Sequence, residues 1–321
     1  MSLQGAGPRR RRIVAGNWKM HFLAAEAAEF CRELLRGLAA GVPAADTEIG
    51  SGSGSHGLPL GEGPKSSAPT APTPRPKGGR GNLPHYPEVV LFPSFPLLPA
   101  VAAALAGSEV TLGAQDLHPA DRGAHTGDVS GPQVLDAGCR WVLCGHSERR
   151  RDHAESDELI ARKVAAAIRH GLAPLLCVGE TREQREAGET LAVLERQLLR
   201  GLSLALPSPA VAAAAPRAAS AATAATAAAG RAGLVIAYEP VWAIGTGLTA
   251  SPETAQEAHR FLRATAAGLA GEDAAVTLLY GGSVTPANAA GLMAQPDVDG
   301  FLVGGASLDP RQFLAIIACS G

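Results

Sequence analysis

Eight short apolar runs that alternate with helical stretches constrain the fold of this 321-residue chain more than any other sequence feature. Each run is continuously apolar, which is typical of parallel strands that are buried on both faces. An alternation of strands and helices predicts an α/β fold with a parallel sheet, either closed or doubly wound, and eight strands favour closure. The predicted strands are residues 13–15, 89–92, 110–112, 141–144, 175–178, 234–238, 276–280 and 301–303.

Proline and glycine mark the ends of several predicted helices. A serine, threonine or aspartate before a proline is typical of an N-cap followed by the first helical residue. This pattern occurs at Ser251, Thr285 and Asp309. Glycine is typical of the position just after a helix. The predicted helix ends are Gly41, Gly107, Gly171, Gly201 and Gly268.

Two segments differ in composition from the rest of the chain. Residues 50–87 contain nine Gly, eight Pro and five Ser in 38 positions, which is typical of a flexible linker, and residues 210–230 contain 14 Ala in 21 positions. Without these segments and a basic N-terminal arm at residues 1–11, about 250 residues remain, the usual size of a (β/α)₈ barrel. We therefore predict a single (β/α)₈ barrel over residues 12–321, interrupted by a flexible insertion at 50–87 and an Ala-rich insertion at 210–230.

Charge and aromatic content argue against several functional classes. A formal net charge of −2 argues against a protein that binds nucleic acid or a membrane surface, and 4% aromatic residues argue against base stacking. No stretch is long and apolar enough to predict a membrane span. The five cysteines form no C-x-x-C pair, so we expect reduced thiols and a cytoplasmic protein.

Polar residues follow the predicted strands at the point where each strand ends. Asn17 and Lys19 follow the first strand, His146 and Glu148 the fourth, and Glu239 the sixth. In a parallel barrel all strands end at one rim, so we expect these side chains to converge there. This rim is where a barrel of this kind carries its chemistry.

Each of these residues also has a structural interpretation. Glu239 is either a base whose proton affinity is raised by apolar surroundings or a carboxylate paired with arginine. His146 either polarises a carbonyl or is structural, and Lys19 either holds an anion or faces solvent. Glu180 is expected in an ion pair. The other histidines show no metal-ligand spacing, so no metal site is expected.

Glycine pairs follow the last two predicted strands, at Gly281-Gly282-Ser283 and at Gly304-Gly305. Glycine lets backbone amides approach an anion closely, although it also forms tight turns. Two such pairs on adjacent strands favour a phosphate site. The Gly245-Thr246-Gly247 stretch lacks the third glycine of a dinucleotide fingerprint.

Five segments together resemble the triosephosphate isomerase family: residues 15–20, 145–150, 238–247, 280–283 and 300–307. The resemblance extends from about residue 13 to residue 317 and skips the two unusual segments. It implies a TIM barrel that interconverts dihydroxyacetone phosphate and D-glyceraldehyde 3-phosphate in glycolysis and gluconeogenesis. It also implies a homodimer without metal or cofactor.

The resemblance also implies roles for individual residues. Glu239 would be the base, a neutral His146 would polarise the carbonyl, and Lys19 with Asn17 would stabilise the charge on substrate and enediolate. Glu148 would support Lys19. The implied phosphate contacts are Gly245, Ser283, Gly304 and Gly305. The implied mobile lid is Pro240, Val241, Trp242, Ala243, Ile244, Gly245, Thr246 and Gly247.

The segment from Gln115 to Thr126 resembles the family's dimer loop, with Thr126 reaching toward the partner's active site. Asp116 and Asp128 depart from the usual asparagine and glutamate of this loop. Leu248 replaces a frequent lysine beside the lid. Cys177 matches a family cysteine and is expected to be a packing residue.

Two other interpretations stay open at this stage. A different phosphate-binding barrel, such as a phosphosugar epimerase or a phosphoribosyl isomerase, would share the glycine turns but would not need Glu239 followed by this lid. A barrel retained as a scaffold would be indicated by loss of Glu239, His146 or Lys19, and all three are present. The proline-rich stretch at 69–76 is either a partner ligand or a passive linker.

Overall fold

The computed structural model describes residues 10–41, 86–206, 234–245, 249–271 and 274–321. Within these ranges eight parallel strands form a closed barrel in sequence order, and the last strand pairs with the first. The predicted (β/α)₈ fold is therefore confirmed. The strands are β1 (Ile13–Asn17), β2 (Glu88–Phe92), β3 (Thr111–Ala114), β4 (Trp141–Cys144), β5 (Ala173–Val178), β6 (Leu234–Tyr238), β7 (Val276–Tyr280) and β8 (Gly300–Val303).

Helices follow the strands around the outside of the barrel. They are α1 (Ala24–Ala40), α2 (Leu98–Ala104), α3 (Gly131–Asp136), α4 (Ser147–Asp152), α5 (Asp157–Arg169), α6 (Arg182–Glu186), α7 (Thr190–Leu202), α8 (Pro252–Ala270), α9 (Pro286–Met293) and α10 (Pro310–Cys319). Short 3₁₀ turns occupy Phe95–Leu97, Val241–Ala243 and Gly305–Leu308. Among the described residues, none of the helices combines the length and apolarity needed to cross a membrane.

Both faces of each strand are buried, which explains why the strands are continuously apolar. Leu175 and Cys177 of β5 point into the barrel interior. Leu176 and Val178 of the same strand pack outward against the helices. Because side chains of a strand alternate between its two faces, both faces must be apolar when both are buried.

Three predicted helix starts are confirmed. Ser251 and Asp309 are N-caps whose side chains accept hydrogen bonds from backbone N–H groups of α8 and α10. Thr285 is the N-cap of α9. The side chains of Ser251 and Asp309 thereby satisfy amide groups that have no partner within the helix.

Two predicted helix ends are wrong. Gly201 lies inside α7, where an added Cβ would be 3.1 Å from the side chain of Leu176 on β5. Glycine at this position therefore permits close packing of the helix against the sheet. Gly268 lies inside α8, which continues to Ala270 and ends at Gly271, whose φ of +95° suits glycine.

The domain limits stay a prediction. Residues 1–9, 42–85 and 207–233 lie outside the described residues, so both insertions fall there apart from residues 86 and 87. In sequence, the insertions lie between α1 and β2 and between α7 and β6, which are both helix-to-strand connections. In barrels of this kind such connections lie at the face opposite the carboxyl ends of the strands.

Candidate active site

A cavity of about 400 Å³ opens at the carboxyl ends of the strands. The rim of a parallel barrel gathers residues that are distant in sequence, as the sequence predicts. All of the predicted catalytic and substrate-contact residues line this cavity. They are Asn17, Lys19, His146, Glu239, Gly245, Ser283, Gly304 and Gly305.

Glu239 follows β6 directly and is only 2% exposed. Its Oε1 lies 2.9 Å from Nε2 of His146, and its Oε2 accepts a 2.9 Å hydrogen bond from the backbone N–H of Ser147. Burial alone favours the neutral acid, but His146, the Ser147 N–H and Lys19 together lower the pKa of Glu239 below its usual value. The side chain is therefore a carboxylate near neutral pH, the form that a base requires. Within the described part of the chain it pairs with histidine and not with arginine.

His146 is the N-cap of α4, and its Nδ1 accepts a 3.3 Å hydrogen bond from the backbone N–H of Glu148. In the neutral ring the proton is consequently on Nε2, which faces Glu239. Burial disfavours the charged ring, but the carboxylate of Glu239 outweighs burial and raises the pKa of His146. The proton affinity of this ring therefore depends on where the Glu239 carboxylate lies.

Lys19 is held on both its backbone and its side chain. Its φ of +50° is unusual for a residue other than glycine. Its N–H donates to Oδ1 of Asn17 at 3.1 Å, and its carbonyl accepts a 2.8 Å hydrogen bond from Nε2 of Gln115. Its Nζ lies 2.6 Å from Oε1 of Glu148, the carboxylate predicted to support it. The ammonium group is thus fixed at the cavity wall.

The glycine turns after β7 and β8 also line the cavity. A Cβ on Gly281 would be 2.9 Å from Cγ of Glu239, and one on Gly282 would be 2.3 Å from the hydroxyl of Tyr280. A Cβ on Gly304 would be 3.6 Å from Cε of Lys19, and Gly305 has open space. A ligand can therefore approach these backbones closely, beside a cation.

Comparison with known proteins agrees with this geometry. The sequence profile described as "Triosephosphate isomerase" matches residues 80–320. The chain is 43% identical over 313 residues to a triosephosphate isomerase of Symbiobacterium thermophilum, with 97% of each chain covered. It is 44% identical over 309 residues to one from Bordetella pertussis (96% of this chain and 97% of the relative). It is 42% identical over 309 residues to one from Moorella thermoacetica (96% and 98%).

The chain belongs to the triosephosphate isomerase family. The recognition of this family from five short segments is therefore confirmed. The profile and the relatives extend well beyond those segments, so the resemblance covers the barrel as a whole.

The segment predicted to be the lid of this family member begins beside the base. Residues 241–243 form a 3₁₀ turn in which Nε1 of Trp242 donates to Oε1 of Glu180 at 2.8 Å. The same oxygen accepts from the hydroxyl of Tyr238 at 3.1 Å, and Arg185 lies 4.6 Å above the Trp242 ring. Buried Glu180 thus anchors this segment and pairs with Arg185 at 3.4 Å. Thr246, Gly247 and Leu248 lie outside the described residues.

The predicted dimer loop contributes to the site in a way that sequence reasoning missed. Nε2 of Gln115 donates to the carbonyls of Lys19 at 2.8 Å and of Phe92 at 2.9 Å, so Gln115 holds the backbone of Lys19. Its position directly after β3 was the available signal, because Asn17 and Glu239 occupy similar strand ends. Thr126 is exposed and lines a second cavity of about 300 Å³.

The aspartate at 116 is accommodated by an ion cluster behind that loop. Its carboxylate lies 2.6 Å from Nζ of Lys163 and 3.0 Å from Nε of Arg149. Glu155 contacts the same two cations, each at 2.6 Å. Two acids and two bases therefore balance, which explains how a charged residue replaces the usual asparagine.

Cys177 lies in the barrel interior close to Glu239 and is buried. Burial, followed by the neighbouring Glu239 carboxylate, raises the pKa of its thiol well above the usual value. Such a thiol is a poor nucleophile, which supports its predicted packing role.

Replacing Glu239 with glutamine is expected to lower the pKa of His146. The Glu239 carboxylate is the largest of the causes that raise this pKa, ahead of Glu148, and burial, which lowers it, remains in the variant. The wild-type ring should therefore titrate at a higher pH than the ring of the Glu239→Gln variant. NMR titration of the imidazole nitrogens measures both values, and an equal or higher pKa in the variant would contradict the electrostatic coupling.

Gly179→Ala is expected to destabilise the barrel beside the base. An added Cβ at Gly179 would lie 1.7 Å from the carbonyl oxygen of Glu239, so the backbone of Glu239 must move. We expect a loss of about 3 kcal/mol in the free energy of unfolding, measured in urea. The matched control is Gly268→Ala, in open space within α8, which should gain about 0.5–1 kcal/mol. Equal stability of the Gly179→Ala and wild-type chains would show that this contact is not tight.

Proposed function

We propose that this chain interconverts dihydroxyacetone phosphate and D-glyceraldehyde 3-phosphate. The observation that carries the proposal is the contact between the Glu239 carboxylate and Nε2 of His146, in a cavity that also holds Lys19 and the two glycine turns. A base, a hydrogen-bond donor for a carbonyl and an anion-binding wall are the groups that this isomerisation needs.

Substrate binding follows from the charges and the open backbone of the cavity. The Lys19 ammonium attracts the phosphate dianion, and the turns at Gly304 and Gly305 leave space for phosphate oxygens to approach backbone N–H groups. Asn17 lines the same cavity, where its Oδ1 accepts the Lys19 N–H. The three-carbon end of the substrate is then directed toward His146 and Glu239.

Proton transfer follows from the arrangement around Glu239. The carboxylate takes a proton from the hydroxyl-bearing carbon beside the carbonyl, which gives an enediolate, and later gives a proton to the former carbonyl carbon. Between these two steps the hydroxyl proton passes from the oxygen of the first carbon to the oxygen of the second through Nε2 of His146, so that the carbonyl moves from one carbon to the other. Nε2–H of His146 and the Lys19 ammonium stabilise the negative oxygen that forms. No redox partner is needed, since one carbon is reduced as the other is oxidised within one molecule.

One contact must change before the carboxylate can reach a carbon atom. Both Glu239 oxygens are engaged here, one with His146 and one with the Ser147 N–H. Substrate must therefore displace at least the His146 contact. Once the carboxylate moves away, the cause that raises the pKa of His146 weakens, and the ring is kept neutral by burial and by the Glu148 N–H on Nδ1.

A coupled assay in both directions tests the proposed activity. We expect turnover of both triose phosphates and none of ribulose 5-phosphate or a phosphoribosyl substrate under the same conditions. Turnover of one of the latter substrates alone would favour another phosphate-binding barrel. No turnover of any of them by folded wild-type chain would favour the scaffold interpretation.

We also propose that the chain forms a homodimer through the face beside Lys19. Met20 is 95% exposed and Leu23 is 73% exposed, although both are large apolar side chains next to the catalytic cavity. Exposed apolar residues of this kind are typical of protein interfaces. The exposed Thr126 loop of one subunit would then pack against this face of the other subunit, across the two-fold axis.

The Met20→Glu variant is expected to shift the dimer toward monomer. A charge at this position would have to be desolvated in the interface, which opposes association. Sedimentation velocity measures the two species, and Leu204→Glu is the matched control because Leu204 is also apolar and 61% exposed but follows α7. A wild-type monomer, or equal effects of the two variants, would contradict the proposed face.

A further inference from the structure

Three side chains of the loop between β3 and α3 converge outside the catalytic cavity. His118, His125 and Asp128 each bring one ligand atom to within 4.8 Å of the others. The loop folds back on itself, since the N–H of His118 donates to Val129 O at 2.8 Å and the N–H of Asp128 donates to His125 O at 3.1 Å. The two imidazole rings lie 4.0 Å apart between centroids. We propose that this loop binds a divalent transition-metal ion of the Zn²⁺ class through the two imidazoles and the carboxylate.

The donor set fits that ion class. Zn²⁺ binds imidazole nitrogen and carboxylate oxygen at about 2.0–2.1 Å, so that ligand atoms of a tetrahedral site lie about 3.3 Å apart. The three side chains must therefore approach one another by roughly 1.5 Å at most. His125 and Asp128 are exposed in the single chain, so no packed core of that chain opposes the movement, and in the proposed homodimer the ion would lie beside the interface of the Thr126 loop. Mg²⁺ and Ca²⁺ prefer oxygen ligands and should compete poorly.

The carboxylate of Asp128 is available for a metal. In the described part of the chain its ion pair is with Nε2 of His118 at 3.8 Å, which is too long for a hydrogen bond. Asp121, on the same loop, differs because its carboxylate contacts Arg169 at 2.6 Å and His170 at 2.8 Å. The Asp121 carboxylate is thus already paired with an arginine, whereas no ion pair between Asp128 and an arginine or lysine is found among the described residues.

Metal binding requires one proton to change place. Nδ1 of His118 accepts a 3.0 Å hydrogen bond from the backbone N–H of Ala120, so the neutral ring carries its proton on Nε2. When a metal binds at Nε2, the Nε2 proton leaves and the lone pair of that nitrogen binds the ion. Nδ1 gains a proton at the same time, so the ring stays neutral. Loss of the Ala120 hydrogen bond should weaken binding by about five- to tenfold, which a three-ligand site tolerates.

The position of the site gives the ion a structural consequence. His118 precedes Thr126 and Asp128 follows it, so one ion would cross-link both sides of the segment that carries Thr126. The ligands lie outside the wall of the catalytic cavity. The metal proposal therefore holds or fails independently of the proposed isomerase activity.

Calorimetric titration of the untagged full chain with ZnCl₂ at pH 7.5 tests the site. We expect one ion per chain, with affinity lowered at least tenfold in His125→Ala and in Asp128→Asn, and unchanged by a hundredfold excess of Mg²⁺. His153→Ala is the matched control, because His153 lines the neighbouring second cavity but lies outside the cluster. Circular dichroism checks that each variant is folded.

Two results would overturn the proposal. One is the absence of saturable binding by wild-type chain. The other is equal binding by wild type and by the folded His125→Ala and Asp128→Asn variants, which would place the ion elsewhere. Imidazole ¹⁵N spectra give a second readout, since bound Zn²⁺ should move the His118 proton from Nε2 to Nδ1; a ring that keeps its Nε2 proton at saturation would remove His118 as a ligand.

Discussion

The Glu239→Gln variant is expected to lose about 10³-fold or more of kcat in the triose phosphate assay. The amide cannot accept a proton from carbon, and no second carboxylate lines the described part of the cavity. The amide oxygen can still accept the N–H of Ser147, so the side chain should keep its place. KM is expected to change little, because the phosphate contacts are proposed at the backbone N–H groups of Gly304 and Gly305, which the glutamine leaves unchanged.

Two controls separate chemistry from folding in this variant. The melting temperature and the affinity for inorganic phosphate should stay close to wild type. A kcat within tenfold of wild type would remove Glu239 as the base. A chain that no longer binds phosphate would show that the substitution disturbs the whole cavity.

The Lys19→Met variant is expected to lose about 10³-fold of kcat/KM. Methionine has a similar length but no charge, so both the phosphate and the developing enediolate lose a fixed cation. In the wild type the Lys19 ammonium lies 2.6 Å from the carboxylate of Glu148. In the variant that carboxylate loses the Lys19 cation and repels the anionic substrate. Steady-state kinetics should show a raised KM together with a lowered kcat.

The Lys19→Arg variant is the matched control for charge. It keeps the cation with a different shape, so it should recover part of the lost activity and most of the affinity for phosphate. Equal activity of the Lys19→Met and wild-type chains would show that Lys19 only faces solvent. If the Lys19→Arg variant is as inactive as the Lys19→Met variant, the loss of activity depends on where the cation lies more than on its charge.

The fold could be predicted from sequence because burial on both faces leaves a simple pattern. Each of the eight apolar runs became a strand, and the largest shift is in β3, which covers Thr111–Ala114 where residues 110–112 were predicted. Gly113 and Ala114 have small side chains, so a search for strongly apolar runs does not detect this end of β3. Helix starts were predictable from a cap and a proline, whereas Gly201 shows that glycine also serves close packing inside a helix.

The site was predictable where topology alone brings residues together. Asn17 ends β1, and His146 and Glu239 follow β4 and β6 of the same barrel, so the three residues meet at one rim. Contacts made by loops were not predictable. The hold of Gln115 on the Lys19 carbonyl and the approach of His118 to Asp128 depend on how one loop folds back, which no periodic pattern encodes.

Deuterium incorporation tests most directly whether Glu239 moves a proton between two carbons. Dihydroxyacetone phosphate is incubated with the chain in D₂O, and the product is followed by ¹H NMR. A carboxylate that holds the proton near solvent should exchange it, so we expect deuterium at C2 of the glyceraldehyde 3-phosphate formed, and none with Glu239→Gln. Equal deuterium uptake at C2 with wild type and with Glu239→Gln would contradict proton transfer by Glu239.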